Sequence, residues 1–133
     1  MSHPVPQNAK FAKSRRLLRH ADFERVYKQG RRHFAAHMTV FYLRRAEGES
    51  GDSRVGLTVG RILGGAVQRN RIKRRLREAV RLSRPGFSAP VDMVINPKRS
   101  ALNMDFVDLR QELTTAFQVI ERSLEKEKGN PRG

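Results

Sequence analysis

The stretch Ala66-Val67-Gln68-Arg69-Asn70-Arg71-Ile72-Lys73-Arg74-Arg75-Leu76-Arg77-Glu78-Ala79-Val80-Arg81-Leu82-Ser83 contains neither glycine nor proline, with Gly64-Gly65 before it and Pro85-Gly86 after it. An unbroken run between two such breakers predicts a helix. At about 100° per residue, Ile72, Leu76, Ala79, Val80 and Ser83 gather on one side. Asn70, Lys73, Arg74, Arg77 and Arg81 gather opposite, and Arg69, Arg71 and Arg75 lie along the flanks. One face is suited to burial against a sheet, and the other stays cationic.

From Arg69 to Arg84 eight of sixteen residues are Arg or Lys, and Glu78 is the single acid. Most charge runs are solvated helix faces, but those usually interleave both signs. Like charges at i and i+4 cost ~0.2–0.5 kcal/mol per pair, a repulsion that a polyanionic partner relieves. Guanidinium groups present planar forks that match phosphate oxygens, so a row of them can follow a nucleic-acid backbone.

Working outward, Arg54 to Val59 alternates Val55, Leu57 and Val59 with Gly56 and Thr58, the period of a strand. Small residues on its second face imply a close neighbour. Met38-Thr39-Val40-Phe41-Tyr42-Leu43 is rich in β-branched and aromatic residues, and Glu47 to Asp52 reads as a loop. The two strands are therefore expected to pair as a hairpin. Val91, Met93 and Ile95, between Pro90 and Pro97, predict a third main strand. Phe23, Val26 and Tyr27 mark a short helix from Ala21 to Gln29 that Gly30 stops. Phe106, Leu109, Leu113, Phe117, Ile120 and Leu124 mark one face of a long final helix, with Asn103 or Asp105 as its N-cap. The order α-β-β-α-β-α predicts an α/β (α+β) sandwich with three to four strands in a small mixed or antiparallel sheet and about three helices.

The 133 residues suffice for one domain. Residues 1–14, with Pro4 and Pro6, read as a flexible basic arm, 15–128 as a single RNA-binding domain, and 129–133 as a disordered tail. The net charge is +15, and it is uneven: residues 1–84 hold 21 basic and 6 acidic side chains, residues 85–133 seven of each. A localised polyanion-binding surface follows from that asymmetry, although anionic lipid attracts the same charge. The absence of cysteine excludes disulfides and thiolate metal sites and fits a reducing compartment. With no apolar run near ~20 residues and no signal-peptide core, the expected location is the cytoplasm, away from any membrane.

Ala66 to Arg77, with its Arg69-Asn70-Arg71, the basic pair Lys73-Arg74 and the further Arg77, resembles the signature of the bacterial ribonuclease P protein subunit. The resemblance extends upstream to Arg54-Val55-Gly56-Leu57-Thr58-Val59 and to Asp22-Phe23 with Tyr27, and the order of elements agrees from about Arg15 onward. It implies a sandwich with a left-handed βαβ crossover whose basic helix faces a catalytic RNA and whose cleft holds the 5′ leader of precursor tRNA. The RNA would carry the active site and its magnesium, so no catalytic or metal-binding residue is expected in the protein. Carried over by position, Arg69, Asn70, Arg71, Lys73, Arg74 and Arg77, with Arg81 beyond them, would contact the RNA subunit. Phe23, Tyr27, Phe41 and Arg61 would line the leader cleft. Relatives often carry a Lys-Lys pair and an Asn where this chain has Arg61-Ile62 and Gly65, so those contacts differ here.

The aromatics also have a physical rationale, because unstacked bases lie on Phe and Tyr rings at ~1–3 kcal/mol per base. Read without the resemblance, aromatics on a short amphipathic helix are ordinarily core. His33 and His37 would not share a helical face in an extended stretch, so they read as surface histidines, not as ligands or an acid/base pair. Gly60 to Gly65 lacks the Lys and Ser or Thr of a phosphate loop. Two readings compete with the ribonuclease P one. A structural RNA binder of ribosomal or chaperone type would have no role in tRNA processing, and a duplex DNA binder would seat the helix in a major groove.

Overall fold

The computed structural model describes residues 19–45, 53–83 and 90–129. The basic arm, the Glu47–Asp52 loop, the Pro85-Gly86 stop and residues 130–133 of the tail lie outside them. Helix α1 spans His20–Gln29, β1 Arg31–Phe34, β2 Met38–Arg44, β3 Arg54–Leu57, α2 Ala66–Ser83, β4 Val91–Pro97 and α3 Phe106–Gly129. Short 3-10 turns at Arg61–Leu63 and Arg99–Asn103 precede α2 and α3.

The sheet runs β1-β2-β4-β3, antiparallel except for the parallel β3/β4 pair that α2 connects. Two expectations are corrected here. The strands at Met38 and Arg54 form no hairpin with each other, because β4 lies between them. Every residue of β4 but Asn96 is buried, and a strand apolar on both faces belongs inside a sheet with a partner on each edge. The hairpin that does form joins β2 to the additional strand β1 through a tight turn, where the Ala35 N–H donates to the Met38 carbonyl at 2.9 Å. The second strand also ends at Leu57, two residues earlier than its alternation suggested.

Alternation divides the sheet into two faces. Met38, Val40 and Tyr42 of β2, Val55 of β3, and Val91, Met93 and Ile95 of β4 pack with Ile72, Leu76, Ala79 and Val80 of α2 and with Leu109, Leu113, Ala116, Phe117, Ile120 and Leu124 of α3. Nearly all of these side chains are fully buried, which is where the main stabilisation resides, at roughly 1.5–3 kcal/mol for each large one. Ser83 completes the apolar side of α2 by hydrogen bonding Thr114 of α3 at 3.1 Å. The other sheet face carries α1: Val26 packs on Val94, and Phe23, Phe41 and Leu43 close around the pair.

Gly30 sets how closely α1 approaches the sheet. A Cβ there would lie 2.5 Å from the Val26 carbonyl oxygen and 2.6 Å from that of Tyr42, both backbone atoms. The helix therefore turns straight into β1 with no side chain between them. At the start of α3, Asp105 holds the N-cap position, its carbonyl accepting from the Leu109 N–H at 3.0 Å.

Candidate nucleic-acid interface

Helix α2 starts at a glycine pair with distinct tasks. Gly64 has φ 123°, a left-handed conformation that side chains rarely adopt. Gly65 occupies the N-cap, and its N–H donates to Gln68 Oε1 at 2.9 Å, half of a capping box with no side chain at the cap itself. With its apolar side held by the sheet and α3, the helix turns its remaining surface outward. Asn70, Arg71 and Arg74 are exposed, and Arg69, Lys73 and Arg77 are partly so. These six share one elongated cationic surface.

Two arginines of the segment behave differently. Arg81 donates to both oxygens of Glu78, at 3.1 and 2.6 Å, and this contact holds the Glu78 carboxyl below its ordinary pKa. Its fork is already occupied by a carboxylate. Arg75 reaches away from the basic face to the carbonyls of Leu102 and Met104, tying α2 to the turn before α3.

The second surface lies where α1 borders the sheet. Tyr27, 37% exposed, meets Phe41 edge to face with ring centroids 4.8 Å apart. Its hydroxyl is 2.7 Å from Thr58 Oγ1 and donates to Asn96 Oδ1 at 3.2 Å. A side chain of α1 thus reaches Thr58, the residue just beyond β3. Phe23 and Phe41 both pack against Val26 and Val94 and are half-buried, so they are partly core and partly surface. Arg61 is exposed on the 3-10 turn three residues beyond Thr58.

The sequence reading missed the residues that continue this surface. On β1, the Arg32 guanidinium lies 5.7 Å from the centre of the Phe34 ring and 5.8 Å from that of Phe41. Phe34 is 67% exposed. Only the strand pairing reveals the cluster, because it sets Arg32 opposite Phe41 and Phe34 opposite Thr39.

Beneath α1 lies a buried ion cluster that also went unread. Asp92, fully buried on β4, accepts from Arg45 at 2.6 Å, from Arg25 at 2.7 Å, and from Arg54 at 2.9 and 2.7 Å. Asp22 adds weaker contacts to Arg25 at 3.6 Å and Arg54 at 3.8 Å. Burial alone would push the Asp92 carboxyl up, but the hydrogen bonds and charges of Arg54 and Arg45 outweigh it and hold the pKa below its ordinary value. The cluster joins α1, β3, β4 and the end of β2.

His37 sits in the β1–β2 turn. Its N–H donates to Glu112 at 2.7 Å, and its Nδ1 lies 2.7 Å from Ser100 Oγ. Among the described residues no group of three or more His, Cys, Asp or Glu is arranged to hold a metal. Asp92, the one fully buried acid described, is saturated by arginines. These side chains do not fit a magnesium ion.

The chain as a whole is similar to known proteins. A family model described as Ribonuclease P matches residues 11–121. A ribonuclease P protein component from Symbiobacterium thermophilum is 42% identical over 106 residues, covering 80% of this chain and 90% of that protein. One from Syntrophus aciditrophicus is 37% identical over 101 residues, 76% of this chain and 82% of that protein. The Staphylococcus aureus RNase P protein structure superposes with TM-score 0.70 at 27% identity, covering 82% of this chain and 97% of that one. For the Thermotoga maritima RNase P protein the TM-score is 0.67 at 27% identity, with 80% and 96% covered. The chain belongs to the bacterial ribonuclease P protein family, the protein components of an endoribonuclease ribonucleoprotein that acts in tRNA processing.

Proposed function

We propose that this chain binds the catalytic RNA subunit of ribonuclease P through the outer face of α2, and the 5′ leader of precursor tRNA through the surface between α1 and the sheet. The observation that carries this is the division of α2: Ile72, Leu76, Ala79 and Val80 are buried in the chain's own core, while Arg71, Arg74 and Asn70 remain exposed. A helix whose cations are arranged this way neutralises phosphates and releases their counterions on binding. In this reading Arg69, Arg71, Lys73, Arg74 and Arg77 contact RNA phosphates and Asn70 adds a neutral hydrogen-bonding group. Arg81, already paired with Glu78, contributes least.

Phe23, Tyr27 and Phe41 offer rings to unpaired leader nucleotides, and Arg61 adds a charge at the edge of the cleft. The RNA performs the phosphodiester hydrolysis with its own magnesium. The protein supplies affinity for the leader and screens the repulsion between two folded RNAs. Such an RNA-processing role places the chain in the cytoplasm, and among the described residues no helix is long and apolar enough to cross a membrane.

Reconstitution tests the proposal. Purified chain added to the ribonuclease P RNA should lower the magnesium concentration needed for precursor tRNA cleavage. An unchanged magnesium requirement together with ordinary RNA binding would instead favour a structural RNA-binding protein.

A further inference from the structure

The edge strand β1 carries a feature that its position does not require. Charged side chains such as Arg31 and Arg32 blunt an open sheet edge against pairing with other chains. That accounts for the arginines but not for Phe34, a large apolar ring left 67% exposed two residues further on. Nor does it account for Arg32 lying over two rings at once, 5.7 Å from Phe34 and 5.8 Å from Phe41. Because Phe41 in turn meets Tyr27 at 4.8 Å, four side chains form one continuous ladder: Tyr27, Phe41, Arg32, Phe34. The ladder runs from α1 across β2 to the outer edge of the sheet.

We infer that Arg32 and Phe34 form an additional nucleotide-binding step at the outer end of the leader cleft, stacking one unpaired base of the leader upstream of those held at Tyr27 and Phe41. This rests on the leader-binding reading above and extends it to a specific place. The chemistry favours single-stranded RNA. An exposed ring beside a flat guanidinium accepts the π-face of any base, and the same guanidinium can reach the phosphate that joins it to the next nucleotide. Recognition of this kind is tolerant of base identity, so the step should register leader length more than leader sequence.

The holoenzyme, reconstituted with the RNA subunit, is titrated with precursor tRNAs whose leaders grow one nucleotide at a time. With the wild-type chain, affinity should rise once more after the increments due to the inner cleft. Phe34→Ala should remove that last increment, about tenfold, the order expected for one stacked base, and leave shorter leaders unaffected. An abasic nucleotide at that leader position should abolish the difference between wild type and Phe34→Ala. Arg32→Lys, which keeps the charge but loses the flat face, should lose part of the increment, and Phe34→Tyr should keep it. Melting curves establish that each variant is folded, and Arg32→Lys carries the test if the alanine variant is not. Equal losses at every leader length, or no loss at any, would overturn the inference while leaving the inner cleft intact. A wild-type enzyme indifferent to leader length would remove both this inference and the leader-binding reading beneath it.

Discussion

Asp92 shows how one residue can change the meaning of a composition. Three of the arginines in the basic part of the chain, Arg25, Arg45 and Arg54, turn toward this buried carboxylate. They belong to the fold before they belong to any partner. Removing one member of a buried, hydrogen-bonded ion group leaves uncompensated charge, so Asp92→Asn should destabilise the protein by about 3–5 kcal/mol, measured by urea unfolding. The pH dependence has a definite sign. The folded carboxyl titrates below its unfolded value of about 3.9, so its stabilisation is fully present above that pH and is lost as pH falls toward the lowered folded value. Stability of the wild type should fall as pH drops below about 4, and Asp92→Asn should show a shallower acid loss. Neither should show a step from this group near neutral pH. A lone acid in the apolar run Val91 to Ile95 was a legible sign of a buried carboxylate, but its arginines lie 67, 47 and 38 positions away, and nothing local announces them.

At the scale of elements, α2 was the most legible part of the chain, because its face is set by a single period and its start by glycine. Ile72, Leu76, Ala79 and Val80 are buried as predicted, and Ser83, half-buried, reaches Thr114. Strand pairing was less legible, since a β period places residues on faces but says nothing about neighbours. The strand at β1 was missed because Arg31-Arg32-His33-Phe34 has almost no apolar content and owes its conformation to backbone pairing with β2. The pairing of Arg81 with Glu78 on α2 yields a direct test. Arg74→Ala should weaken association with the RNA subunit and reduce the slope of log K against log salt by about one, as for a lost phosphate contact. Arg81→Ala should change that slope little, because its guanidinium already faces Glu78. Equal changes for the two would show that the Glu78 pair opens on binding.

For the whole molecule, the net charge of +15 opposes compaction. The cations outside the Asp92 cluster repel one another in the free protein, and salt screens that repulsion over ~10 Å at 0.1 M. Raising ionic strength should therefore raise the melting temperature of the free chain, by an amount on the order of 4 °C per kcal/mol of relieved repulsion. The RNA subunit should produce a larger rise at far lower concentration, to the extent that it binds the folded state more tightly than the unfolded one. A melting temperature insensitive to salt would place the repulsion below what the composition implies. Fold class, helix faces and the basic surface were thus readable from patterns within short windows of sequence. The Asp92 cluster and the Arg32–Phe34 pair were not, because each depends on which distant strands lie side by side.

The order of the sheet also bears on how the chain comes to be made. β4, an inner strand, is the last of the described strands in the chain, and the ribosome releases β1, β2 and β3 before the strand that joins β2 to β3. Until residues 91–97 emerge, β3 has no neighbour and Arg25, Arg45 and Arg54 have no Asp92, so most of the long-range order must form late. Residues 31–57 therefore leave the ribosome with only the β1/β2 pairing open to them, and the described sheet closes only when residues 91–97 have followed.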